Sequence, residues 1–114
     1  MRGRNAEDRA LAFLKARGLR PVARNWRART GELDLVMEDR GTLVIVEVRA
    51  RRSDRFGSAA ESVGPRKQGR LIRTAQAFLQ ARGRSEPVRF DVVAISGSTP
   101  ERVQWITNAF EVNE

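Results

Sequence analysis

The chain contains neither cysteine nor histidine among its 114 residues. The absence of cysteine excludes disulfides, thiolate nucleophiles and cysteine-based zinc or iron–sulfur sites. The absence of histidine excludes serine–histidine hydrolysis and imidazole general-base catalysis. Any reaction must therefore depend on carboxylates, lysine and arginine.

Lysine is scarce, because Lys15 and Lys67 are the only lysines among 22 basic residues. The net charge of +8 favours a polyanionic partner, since a basic surface gains free energy when it releases counter-ions from phosphates. Arginine also suits bidentate phosphate contacts, although an arginine-rich composition can equally reflect genomic base composition. The alternative is a soluble basic protein whose charge serves no partner.

Long hydrophobic runs are also absent. The apolar run at residues 43–46 is far too short to span a membrane, and the amino end, MRGRNAEDRA, has no apolar segment behind its charges. We therefore expect no membrane partner and a cytoplasmic location. The length predicts one domain, residues 1–114, with residues 1–3 and 108–114 as loose ends.

Apolar periodicity predicts seven elements in the order helix, three strands, helix, two strands. These elements are residues 4–17, 19–27, 33–38, 42–48, 65–82, 88–95 and 103–106. Pro21 favours an edge position for the first strand, and Gly18 and Gly83 follow the two helices as stops. The sequence predicts an α/β fold with a mixed sheet flanked by helices.

The central stretch, residues 31–51, places charges in two apolar strands joined by a tight turn at residues 39–41. Residues two apart share a face of a strand, so Glu32 lies beside Asp34 and Glu47 beside Arg49. If the hairpin brings those faces together, three carboxylates and a guanidinium converge at one end of the sheet. Such an oxygen-rich site suits Mg²⁺ or Mn²⁺.

Charged residues also fall on the helices. Glu7 lies on the apolar face of the first helix, where it either joins the site or only favours the helix dipole. Lys67 points towards the buried side of the second helix, where it either extends to water or acts as a counter-charge. Arg66, Arg70 and Arg73 form a basic stripe on that helix.

The segment from Arg49 to Gly64 loses regular apolar spacing and gathers basic residues, Arg51, Arg52 and Arg55 among them. We expect this segment to follow a nucleic-acid backbone, with a solvated connector as the alternative. Trp26 lies among arginines and either stacks on a base or packs in the core.

The motifs together resemble the YraN-like family of uncharacterised bacterial proteins over about residues 4–95. The resemblance is carried by Glu7, GELDLV with Asp34, VEVRAR with Glu47 and Arg49, FGSAAESV and PRKQGRLIRTAQAFL. That family is described as similar to Holliday junction resolvases and restriction endonuclease-like, PD-(D/E)xK nucleases. The resemblance implies a restriction endonuclease-like core in which Glu7, Asp34 and Glu47 bind Mg²⁺ or Mn²⁺, and it leaves a homodimer open.

The lysine of the family pattern falls on Arg49 in this chain. Arginine stays protonated, so it can neutralise phosphate charge but cannot accept a proton from water. Lys67 is the candidate to take its place. The predicted catalytic residues are Asp34, Glu47, Arg49 and Lys67, and the predicted DNA contacts are Arg51, Arg52, Arg55, Arg66 and Arg70.

These residues predict a metal-dependent nuclease that acts on DNA, with branched DNA as one candidate substrate. The alternative is a nucleic-acid-binding module that keeps the scaffold without the activity, as Arg49 suggests. A structural interaction protein is the third hypothesis, and it predicts neither DNA binding nor metal affinity.

Overall fold

The computed structural model describes residues 5–51, 63–96 and 102–112. Its elements are α1 (Ala6–Ala16), β1 (Arg20–Ala28), β2 (Gly31–Asp39), β3 (Thr42–Arg51), α2 (Pro65–Arg82), β4 (Val88–Ser96) and β5 (Arg102–Phe110). The predicted order of helices and strands is confirmed. Neither helix in these ranges has the combination of length and hydrophobicity that a membrane span requires.

The five strands form one sheet in the order β1-β2-β3-β4-β5. Neighbouring strands are antiparallel except β3 and β4, which are parallel. A parallel pair needs a crossover, and α2 supplies it. Leu14 of α1 packs in one apolar cluster and Phe78 of α2 in the other, so the helices cover opposite faces of the sheet. The predicted mixed sheet between helices is confirmed.

The turn between β2 and β3 has two central residues, Arg40 with φ 53° and Gly41 with φ 88°. Two positive φ angles in a two-residue loop characterise the type I′ turn, whose twist matches that of paired strands. The turn fixes the register from Asp39 opposite Thr42 to Leu35 opposite Val46. If this register is extended by one residue, Asp34 lies opposite Glu47.

The sequence placed two strand ends incorrectly. The strand predicted to end at Val48 continues to Arg51, because β4 runs beside it and pairs Arg49 with Ala94. Arg49 therefore lies in a strand and not in the basic loop. Residues 108–110, predicted as part of a loose end, continue β5.

A buried carboxylate, Asp91, joins β4 to β5. Its two oxygens accept hydrogen bonds from the Arg89 guanidinium at 2.9 and 2.8 Å, from Trp105 Nε1 at 3.0 Å and from the Asn108 amide at 2.9 Å. The hydrogen bonds to Asp91 and the negative charge of Asp91 raise the pKa of the Arg89 guanidinium, and the Asp39 carboxylate raises it further. The network holds Asn108 within β5, at φ 52°, and so explains why that strand extends beyond its predicted end.

Trp26 of β1 is half-buried and packs edge-to-face against Phe78 of α2, with ring centroids 5.2 Å apart. Of the two interpretations of this tryptophan, the structure supports packing against the core.

Candidate functional site

A cavity of about 200 Å³ opens between the start of β2, the middle of β3 and the first turns of α2. It is lined by Gly31, Glu32, Asp34, Glu47, Lys67, Arg70, Leu71 and Thr74. Three of the four predicted catalytic residues, Asp34, Glu47 and Lys67, therefore share one cavity. The two carboxylates come from the hairpin, and the lysine comes from the crossover helix.

Asp34 lies just beyond the part of β2 that pairs with β3. The alternation of strand faces is interrupted here, because Leu33 and Val36 both pack on the α2 side although they are three residues apart. The Oδ2 atom of Asp34 accepts a hydrogen bond of 2.9 Å from the backbone amide of Val48. This bond ties the carboxylate to β3 and holds it beside Glu47.

Burial of the Asp34 carboxyl group raises its pKa to about 6. The negative charges of Glu47 and Glu7 also raise it, while the Val48 hydrogen bond and the Lys67 charge lower it. At Asp34 the repulsion by Glu47 therefore outweighs the attraction of Lys67. A bound cation would relieve this repulsion and favour the ionised form.

Glu47 is buried and is neutralised from α2. Its side chain is 5% exposed, and Lys67 Nζ lies 2.7 Å from its Oε2 atom. Arg49 Nε lies 3.5 Å from the same oxygen. A buried carboxylate needs such partners, because an unpaired buried charge costs several kcal/mol. Of the two hypotheses for Lys67, the structure supports the counter-charge.

The floor of the cavity is formed by a contact that sequence reasoning missed. Thr30 Oγ1 and Thr74 Oγ1 are 2.7 Å apart and share a hydrogen bond. Gly31 has φ 149°, and a side chain there would approach Thr74 Oγ1 to 3.3 Å. The glycine therefore lets the β1–β2 turn lie directly on α2. The available sequence signal was Thr74, a polar residue on the apolar face of that helix.

Glu7 lies in the first turn of α1 and does not line this cavity. Its Oε1 atom is 3.7 Å from Arg24 Nη2, which also lies 2.8 Å from Asp8. In the described part of the chain, no group of three or more acidic side chains is arranged to hold a metal ion. Three carboxylates line the cavity, Glu32, Asp34 and Glu47, and Glu32 is paired with Arg27 at 3.1 Å. Glu7 as a metal ligand stays a prediction.

The predicted DNA-contacting residues fall in different places. Arg70 lines the cavity, and Arg66 is exposed in the first turn of α2. Arg51 ends β3, and Arg52 and Arg55 lie outside the described residues.

Sequence comparisons place this chain among proteins of similar length. A family model described as "Uncharacterised protein family UPF0102" matches residues 6–95, which include Asp34, Glu47 and Lys67. A UPF0102 protein of Stutzerimonas stutzeri is 55% identical over 112 residues, covering 96% of this chain and 93% of the relative. Another, from Nitrosococcus oceani, is 48% identical over 114 residues, covering 97% and 92%. The chain therefore belongs to the uncharacterised protein family UPF0102, the YraN-like family that its motifs predict.

Proposed function

We propose that this protein is a metal-dependent phosphodiesterase that hydrolyses DNA. The observation that carries the proposal is that Asp34 and Glu47 line one cavity together with Lys67, whose ammonium contacts Glu47. A protein of net charge +8 attracts a phosphate backbone to such a site. The restriction endonuclease-like core implied by the sequence motifs is part of the same proposal.

The donor set of the cavity fits Mg²⁺ or Mn²⁺. Both ions prefer oxygen ligands, and Mg²⁺ is commonly held by one or two carboxylates together with waters and substrate phosphate oxygens. Asp34 and Glu47 would hold the ion in this arrangement, so a third carboxylate is not required. When bound, such an ion lowers the pKa of a water molecule and polarises the phosphoryl oxygen.

The cationic side chains have separate roles in the proposal. Lys67 takes the part of the lysine in the family pattern, because its ammonium contacts Glu47 and can orient the attacking water. Arg49 remains protonated and stabilises negative charge that develops on the phosphate, without accepting a proton. Arg70, at the rim of the cavity, holds a non-bridging phosphate oxygen.

Cleavage assays on linear and branched DNA with Mg²⁺ or Mn²⁺ test the proposal. We expect Asp34→Asn and Glu47→Gln to lower cleavage by about 100-fold or more, because each removes a charged ligand. Glu38→Gln is the matched control, since Glu38 pairs with Arg20 at 2.9 Å outside the cavity and its loss should leave cleavage intact. Cleavage that survives both cavity substitutions would refute the mechanism.

A nucleic-acid-binding module without catalytic activity is the second candidate. Two observations favour it: Arg49 stands where the pattern has lysine, and Lys67 already neutralises Glu47. This candidate predicts salt-dependent DNA binding without metal-dependent cleavage. If Arg49→Lys then restores cleavage, the arginine is what disables the site. Size-exclusion chromatography with and without DNA tests the homodimer that the family resemblance leaves open.

A further inference from the structure

Cationic side chains in the described part of the chain differ in whether a carboxylate neutralises them. Those with a carboxylate partner include Arg20, Arg24, Arg27, Arg49, Lys67, Arg84 and Arg89. Arg29, Arg66, Arg70 and Arg73 are exposed and form no ion pair with any carboxylate of the described residues. We refer to these four residues as the arginine row.

Three members of the row share one face of α2. Arg66, Arg70 and Arg73 are spaced at i, i+4 and i+7, so their Cα atoms span about 10 Å at 1.5 Å per residue. The middle member, Arg70, lines the cavity. An Nη1 atom of Arg73 lies 3.3 Å from where a side chain on Gly69 would begin. The Arg73 guanidinium therefore leans back along the helix towards the other two.

The fourth member belongs to the β1–β2 turn. Arg29 precedes Thr30, whose hydroxyl is bonded to that of Thr74 at 2.7 Å. Thr74 follows Arg73 in α2. The hydroxyl pair thus holds the turn that carries Arg29 against the part of α2 that carries Arg73.

The charge at the start of α2 is also unusual for a helix. Its first turn contains no acidic residue and Gly64 provides no side-chain cap, whereas α1 has the Asn5 cap and acidic residues in its first turn. Cations near a helix N-terminus repel the positive end of the helix dipole. An anion placed there would be attracted both by the dipole and by Arg66.

We propose that the arginine row is a phosphate-binding track that holds a DNA strand along α2, across the mouth of the carboxylate cavity. Its helical part, about 10 Å long, is long enough to contact more than one phosphate of the same strand. The inference rests on the proposed function for the role of the cavity, but DNA binding by the row does not require cleavage. Arg29 of the β1–β2 turn and Arg73 of the basic stripe are thereby added to the DNA contacts that the sequence predicts.

DNA binding by fluorescence anisotropy, with a chelator present to prevent cleavage, tests the track. Arg29→Gln/Arg73→Gln is compared with Lys15→Gln/Arg40→Gln, a control that removes two exposed charges outside the row. Both double variants lower the net charge from +8 to +6. We expect the row variant to bind about 10- to 100-fold more weakly at about 0.1 M salt and to lose about two units of salt slope. The control should change the affinity less than about threefold.

A second variant, Gly69→Ala, displaces the Arg73 guanidinium while the net charge is kept. We expect it to weaken DNA binding while the helix remains folded, since alanine favours helix more than glycine does. Equal weakening in the row variant and in the charge-matched control would overturn the track. Row-dependent binding to anionic phospholipid vesicles without binding to DNA would overturn it as well.

The two proposals fail in different ways. Wild-type protein that binds DNA through the row but does not cleave it contradicts the proposed activity and leaves the track intact. Cleavage that depends on Asp34, with equal DNA binding in the row variant and wild type, contradicts the track alone.

Discussion

Asp34→Asn tests the electrostatics of the cavity without any assumption about the substrate. Among the described residues, Asp34 is the carboxyl group whose pKa is raised, from an ordinary value of 3.8 to about 6. A shift of that size corresponds to about 3 kcal/mol. Because Asp34 is only half-buried, solvent screening reduces the expected effect to about 1–2 kcal/mol. Asparagine keeps an oxygen that can accept the Val48 hydrogen bond.

The sign of the effect follows from proton binding. Between about pH 4 and pH 6 the folded state holds the Asp34 proton and the unfolded state releases it. The stabilisation from Asp34 is therefore present at low pH and is lost as the pH rises through this window. The asparagine of the variant does not titrate. The free energy of unfolding of the variant should thus rise relative to wild type by about 1–2 kcal/mol between about pH 4 and pH 7.

Urea denaturation of both proteins across this pH range measures the difference, and other titrating groups cancel in the comparison. A difference that is constant with pH, or that changes in the opposite direction, would refute the reasoning. The change in the free energy of unfolding when Mg²⁺ is added at neutral pH provides a second test. At a concentration 100 times its dissociation constant, Mg²⁺ should stabilise wild type by about 2.7 kcal/mol and the variant much less.

Three other substitutions test other parts of the fold. Asp91→Ala should lower the free energy of unfolding by about 3 kcal/mol in urea denaturation, since it leaves its arginine, tryptophan and amide partners without their acceptor. Lys67→Met should lower cleavage by about 100-fold and the free energy of unfolding by about 1–3 kcal/mol, because buried Glu47 loses its partner at 2.7 Å. An unchanged free energy of unfolding would contradict the importance of this pair. Gly31→Ala should destabilise by about 1–3 kcal/mol because φ is 149°. Gly64→Ala, at a φ of −77° with nothing within 4 Å, should cost only the difference between glycine and alanine at a helix N-cap, about 0.5–1 kcal/mol. A smaller cost at Gly31 than at Gly64 would contradict the strain argument.

The elements that the sequence predicted well carry strong local signals. Gly41 allows a positive φ in the hairpin turn, and Gly83 ends α2 in the left-handed conformation. Pro65 begins that helix, because the fixed φ of proline suits the first helical position. Because the turn sets the strand register, the proximity of Asp34 and Glu47 could be predicted from the hairpin alone.

The features that the sequence did not reveal depend on contacts between distant residues. Asp91 lies within an apolar segment of the sequence. Its role in joining β4 to β5 depends on hydrogen bonds from Trp105 and Asn108, which lie in β5. The strand was predicted to end at Val48 because its last three residues are held by pairing with β4, which follows more than thirty residues later. The bond between Thr30 and Thr74 likewise joins residues far apart in the chain. No periodicity within one segment contains this information.

The origin of the cavity walls has a consequence for synthesis of the protein. Asp34 and Glu47 lie within one hairpin, which leaves the ribosome before residues 65–82 can fold against it. A nascent chain of this length exposes the two acids without Lys67, and they remain hydrated. The complete pocket first exists when the crossover helix docks, so a truncated or partly folded chain cannot carry the proposed activity.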